Sequence, residues 1–143
     1  KYRLDLAREL GANEVIDSSS DNAEEVIREL TQGEGAECTL DATGIPEVRI
    51  QAVDSAKYWG KVCFVGEGNT TTFDVSAQII HKQLTILGSW TFSQAGLSEV
   101  ANFVVQRNSP MDKLITHTYG LDEAQKAYET FISGETGKVI LTI

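Results

Sequence analysis

The sequence predicts an α/β fold, a parallel sheet with helices on both faces, and three observations carry that expectation. Short apolar runs alternate with amphipathic stretches along the whole chain. Several runs, Lys61–Val65 (KVCFV) above all, are nearly continuously apolar, as strands buried on both faces are. Small and glycine residues punctuate the run ends at Asp41–Gly44, Val65–Gly68 and Gly88–Thr91, where a strand would turn into a helix.

The elements follow in order. Leu4, Ala7 and Leu10 stand near helical spacing, so Lys1–Leu10 reads as a helix closed by Gly11. No capping residue precedes it, and a chain that opens directly in a helix reads as cut. Glu14–Asp17 reads as a short strand and Ser18–Ser20 as a loop. Asp21 and Glu24 have capping-box spacing before a helix whose apolar face is Val26, Ile27 and Leu30, closed by Gly33 and Gly35. Cys38–Leu40 is the next strand, leading into Asp41-Ala42-Thr43-Gly44. Pro46 suits a first helical turn, and Ala52, Val53 and Ala56 then face a core until Gly60. After the strand Lys61–Val65 comes Gly66-Glu67-Gly68. An amphipathic segment, Val75–Ile80, leads to the strand Leu84–Leu87, which ends in Gly88-Ser89-Trp90. The last third reads as a helix on Leu97, Val100, Ala101 and Val104, then a strand at Ile115–Tyr119. Ala124, Ala127, Tyr128 and Phe131 mark a second helix, and Val139–Ile143 a closing strand. No internal repeat occurs, and the only compositional seam lies near Phe92–Gly96.

Composition excludes several classes. With 143 residues, 41% of them hydrophobic, and only 2 prolines, the chain suits an ordinary globular core rather than a disordered or fibrous one. Its formal net charge of -9 repels phosphate backbones, so neither nucleic acid nor an anionic membrane is an expected partner. No apolar run approaches the roughly 20 residues that span a bilayer. Cys38 and Cys63 lie in strand-like runs without CxxC or His spacing, and read as buried free thiols of a cytoplasmic protein. With His81 and His117 also far apart and taken as structural, no local metal cluster forms.

In open parallel sheets ligands bind beyond the carboxyl ends of the strands. The small residues at the three strand ends would let a flat cofactor approach the backbone; they serve equally well as plain turns between strand and helix. Gly66-Glu67-Gly68 lacks the third glycine of a GxGxxG phosphate turn, and no Walker A, HExxH or GxSxG pattern occurs. Glu24, Glu25, Arg28, Glu29, Glu123 and Lys126 read as solvated helix faces. Lys138 differs, because it follows a glycine and opens the last strand, where a cation can neutralise a phosphate.

Tyr2–Ile16 (YRLDLARELGANEVI) resembles the segment after the second Rossmann strand of zinc-type medium-chain dehydrogenases. Leu40-Asp41-Ala42-Thr43-Gly44, Gly60-Lys61-Val62 with Val65-Gly66, and Leu87-Gly88-Ser89 resemble that family's next three strand ends, in order. Leu114–Tyr119 with Leu121–Ala124, and Ser133-Gly134-Glu135 through Gly137–Leu141, are similar to its last strands and helix. The resemblance covers essentially the whole chain. It implies a Rossmann-like doubly wound sheet that is incomplete, lacking the first strands and the GxGxxG turn. Residues 1–91 would be the C-terminal part of the nucleotide-binding domain, and 92–143 a segment that packs back on the catalytic domain. The missing strands would leave the sheet interrupted.

The same resemblance implies a parent that oxidises an alcohol or polyol, passing hydride to NAD or NADP, with zinc held in a part not present here. No catalytic residue or metal ligand carries over. For the cofactor it implies Thr43 facing it, Gly66 and Glu67 lining the nicotinamide ribose, and the main chain of Ser89, Trp90 and Thr91 meeting the carboxamide. Lys138 would contact the pyrophosphate, and Arg3 falls near the adenosine ribose. The position that selects NAD over NADP would lie just before Lys1. The strand matching Leu84–Gly88 lies at the sheet edge in the family, which implies a homodimer or higher assembly through Leu84–Trp90. Two rivals remain: a zinc-free quinone or enoyl reductase of the same superfamily, and an α/β regulatory module using Asp41 as a phosphoacceptor.

Overall fold

A computed structural model describes all residues, Lys1–Ile143, as two compact units. One comprises Ser18–Thr91, the other Lys1–Asp17 together with Phe92–Ile143.

The Ser18–Thr91 unit opens with α2 (Ala23–Leu30), numbered after α1 (Tyr2–Glu9) of the other unit. Its cap is Asn22, whose side chain accepts from the backbone N–H of Glu24 and Glu25, and not the expected Asp21. The Asp21 carboxylate takes the Ser20 hydroxyl at 3.1 Å, and Glu24 turns outward to Arg28 at 3.0 Å, so the capping box does not close. Then come β1 (Ala36–Asp41), α3 (Pro46–Ser55), β2 (Ala56–Phe64), a wide π-type helical turn (Val75–Ile80) and β3 (Thr85–Gly88). The helix from Pro46 stops at Ser55 rather than at Gly60. Two cations take its last carbonyls: Lys82 Nζ donates to those of Val53 and Asp54 at 2.8 and 3.0 Å, and Arg28 donates to that of Asp54 at 3.3 Å.

The three strands pair in the order β1-β2-β3, all parallel, with Leu40 opposite Cys63 and Cys63 opposite Leu87. Val53, Ala56 and Val62 form the buried core, with Ala52, Phe64, Phe73, Ile79 and Leu84 packed against it. Within this unit α3 packs against one face of the sheet, on β1 and β2. Successive crossovers of one hand, β1 to α3 to β2 and on to β3, place their connections on the same side. Side chains alternate across a strand, so Leu40 is 64% exposed and Leu87 48% exposed on the other side. For the same reason the thiols are not buried as expected: Cys38 is exposed and Cys63 half-buried.

In the other unit, β4 (Ile115–Gly120) and β5 (Lys138–Thr142) form a separate parallel pair joined by α5 (Ala124–Ile132), which buries Ala127. α1 ends as expected, with Gly11 at φ 103°. Glu14–Asp17, expected as a strand, forms none, because no neighbouring strand pairs with it. α4 (Gln94–Gln106) is capped by Ser93 and buries no residue. No helix is long and apolar enough to cross a membrane.

Candidate functional site

The site grows from the end of β1. Asp41 is fully buried, and its carboxylate accepts from the Thr43 hydroxyl at 2.6 Å, the Thr43 N–H at 2.9 Å and the Gly44 N–H at 3.2 Å. This is the turn an aspartate makes with the backbone two and three residues on, and it delivers the chain into α3. Burial pushes the carboxyl pKa up, but the Thr43 and Gly44 donors and the Arg49 guanidinium outweigh it. The net position is below the ordinary carboxylate value. The Asp41 carbonyl accepts from the N–H groups of Val65 and Gly66, tying the ends of β1 and β2 together.

Two glycines make that approach possible. A Cβ on Gly66 would collide with the backbone nitrogen of Gly44, and one on Gly44, at φ +72°, with the carbonyl of Glu67. Arg49, on α3, then reaches across. Its Nη2 donates to the carbonyls of Gly66 and Gly68 at 2.7 and 2.8 Å, and its Nη1 to the Asn69 carbonyl and the Thr71 hydroxyl at 3.1 and 3.2 Å. Its Nε lies 3.5 Å from Asp41 Oδ2. The Asn69 amide returns to the Gly44 carbonyl at 3.1 Å.

These loops and the end of β3 enclose a cavity of about 660 Å³, lined by Arg49, Gly66, Glu67, Asn69, Ser89 and Trp90 among others. It lies beyond the carboxyl ends of parallel strands, where such sheets bind ligands. A second cavity, about 360 Å³ against Tyr128, Phe131 and Val139, is apolar and has no convergent polar groups.

Of the expected cofactor residues, the structure gathers Gly66, Glu67, Ser89 and Trp90 around this one cavity. Thr43 adjoins it through Gly66, but its hydroxyl is spent on Asp41 and on the Ile45 N–H. The Ser89 N–H is spent on the Phe64 carbonyl. Thr91 follows Trp90 with φ 52° and does not line the cavity. Arg3 and Lys138 belong to the other unit, where Arg3 Nε donates to the Thr136 carbonyl and Lys138 opens β5, exposed. His117 contacts the Thr116 hydroxyl through Nδ1 and stacks on Tyr119.

Sequence reasoning missed Arg49. The available signal was its place one turn into a helix that starts at Pro46, where a cation opposes the helix dipole and needs acceptors of its own. The residues do not suit a zinc ion: no group of three or more His, Cys, Asp or Glu converges. They do suit part of a flat cofactor, through the open cavity whose wall includes Gly66, Gly68 and Gly88. Asp41, buried with its oxygens occupied, offers no free oxygen to a phosphodonor, which removes the physical basis of the regulatory-module rival.

Comparison with known proteins agrees with this geometry. The family described as zinc-binding dehydrogenase matches residues 1–106. The zinc-type alcohol dehydrogenase-like protein YphC of Escherichia coli (strain K12) is 34% identical over 143 residues, covering 97% of this chain and 39% of its own. An L-threonine 3-dehydrogenase of Shewanella putrefaciens is 32% identical, covering 99% of this chain and 42% of its own. Among solved structures, benzyl alcohol dehydrogenase from Acinetobacter calcoaceticus superposes with a TM-score of 0.86 at 33% identity, covering 99% of this chain and 40% of that one. Alcohol dehydrogenase TADH from Thermus sp. ATN1 gives 0.89 at 27% identity over 98% of this chain and 41% of its own. The chain thus spans about two fifths of the length of the relatives it matches.

Proposed function

Because the chain belongs to the zinc-binding dehydrogenase family, we propose that it forms the nicotinamide side of an oxidoreductase acting on an alcohol or polyol. The observation that carries this reading is the cavity at the strand ends, with four of the expected cofactor residues on its wall. The chemistry a nicotinamide supplies when bound is acceptance of a hydride from the alcohol carbon. Gly66, Gly68 and Gly88 on the cavity wall let the ring and ribose approach the backbone. Glu67 stands at the ribose, and Trp90 offers main chain to the carboxamide. Zinc, where the reaction uses it, would need ligands other than these residues. The relatives named zinc-type alcohol dehydrogenase favour this branch over a zinc-free quinone or enoyl reductase.

We further propose a cytoplasmic protein, its thiols reduced, that assembles as a homodimer or larger through Leu84–Trp90. β3 supports this as an outer strand of its sheet with all four residues exposed. The test of the cofactor reading is an NMR titration of the chain with NADH. Saturable shifts at Gly66, Glu67 and Ser89 are expected, with a dissociation constant weaker than about 0.1 mM, because the helix N-terminus that normally binds the pyrophosphate is not among these residues. Low-micromolar affinity, or shifts confined to other residues, overturns it.

A further inference from the structure

We propose that Arg49 is a positioning residue, whose planar guanidinium preforms the cofactor wall by clamping the Gly66–Thr71 loop. The inference rests on the cofactor reading of this cavity. The side chain is only 13% exposed, and its two terminal nitrogens donate to four acceptors on that loop. Three of those are backbone carbonyls, so the bonds set the path of the chain itself. Left alone, the path would be loose: Gly68 at φ 88° and Asn69 at φ 56° are consecutive left-handed residues. Asn69 completes the closure by reaching back to Gly44, which joins the loop to the end of β1.

Neutralising Asp41 does not account for the arrangement. That carboxylate already holds the Thr43 hydroxyl and two backbone N–H groups, and the ion pair at 3.5 Å is Arg49's longest contact to this network. A lysine would keep the charge, but an ammonium is a compact donor that cannot span four divergent acceptors. With its terminal nitrogens turned to the loop, Arg49 acts on a ligand through Gly66 and its neighbours rather than by direct contact.

The test compares the 143-residue chain with Arg49→Lys and Arg49→Met. Arg49→Lys keeps a cation beside Asp41 and is the variant expected to stay folded, checked by circular dichroism. Backbone order parameters at Gly68 and Asn69 should be about 0.85 in the parent and below about 0.6 in both variants. NADH should bind Arg49→Lys about tenfold more weakly than the parent, the cost of ordering a loose loop. A rigid loop and unchanged NADH affinity in Arg49→Lys overturn the clamp and leave the cofactor reading standing. A parent chain in which NADH moves no resonance at Gly66, Glu67 or Ser89 overturns the reading and the inference together, whatever the loop does.

Discussion

Asp41 and Trp59 show how much individual residues carry here. Asp41 is a buried charge kept ionised by donors, so removing its charge should cost stability. Replacement by Asn leaves Arg49 without its anion and should destabilise the chain by about 3 kcal/mol. The pH dependence follows in sign. A carboxyl whose folded pKa lies below its unfolded value of 3.8 contributes stability that is fully present above that value. The contribution is lost as pH falls through the lower, folded value. Urea unfolding from pH 7 down to pH 2 should show this acid loss in the parent and a shallower one in Asp41→Asn; parallel curves would exclude it. Trp59 sits inside β2 at φ 58°, a left-handed conformation that suits glycine and strains a bulky residue. The residue is 70% exposed, so little packing is lost on removal. Trp59→Gly should therefore raise stability by about 1 kcal/mol, and a lower denaturation midpoint would contradict the strain argument.

The elements differ in how well each is covered. α3 is well placed: Lys82 and Arg28 take its last carbonyls, and Val53 lies in the core. α4 has a capped start and an apolar face, yet Leu97, Val100 and Phe103 are all exposed. β3 closes one side of its sheet with an unpaired outer edge, which another strand can satisfy. Ile86 pairs with buried Val62 and shares its face, so a charge there would disturb the core as well as the edge. Leu87 pairs with Cys63 on the uncovered face and is the cleaner probe. If β3 mediates assembly, Leu87→Lys should convert the oligomer to monomer in light scattering with little change in helix content. An unchanged mass would place the contact elsewhere.

The whole chain exposes 10479 Å². Large hydrophobic side chains are exposed, among them Leu40 and Leu87 on the sheet and Leu97, Val100 and Phe103 on α4. An isolated chain should therefore bind a hydrophobic dye such as ANS at neutral pH and unfold with weak cooperativity. Sharp two-state melting without dye binding would mean the exposed surfaces find partners in solution. With no convergent metal ligands, the chain should also show no turnover of primary or secondary alcohols with NAD, with or without zinc. Zinc-stimulated turnover would refute that expectation.

Element type and order were legible in the sequence because periodicity, caps and breakers act within a few residues. Pro46 opens a helix, Ala124 to Phe131 form one, and Lys61 to Phe64 lie in a strand, each for local reasons. That Gly66, Glu67, Ser89 and Trp90 stand at strand ends was legible for the same reason; their cofactor role was read from the family resemblance, not from where the strands stop. Glu14–Asp17 marks the limit: a strand-like pattern makes no strand without a neighbour to pair with. Tertiary structure alone decided which sheet face is covered, and so left Cys38 and Leu40 outside. It decided that Lys82 and Arg28 end α3 from 29 and 26 residues away. It also turned Arg49 from a helix residue into the centre of the site, because its acceptors lie 17 to 22 residues along the chain and meet it only after β2 has returned beside β1.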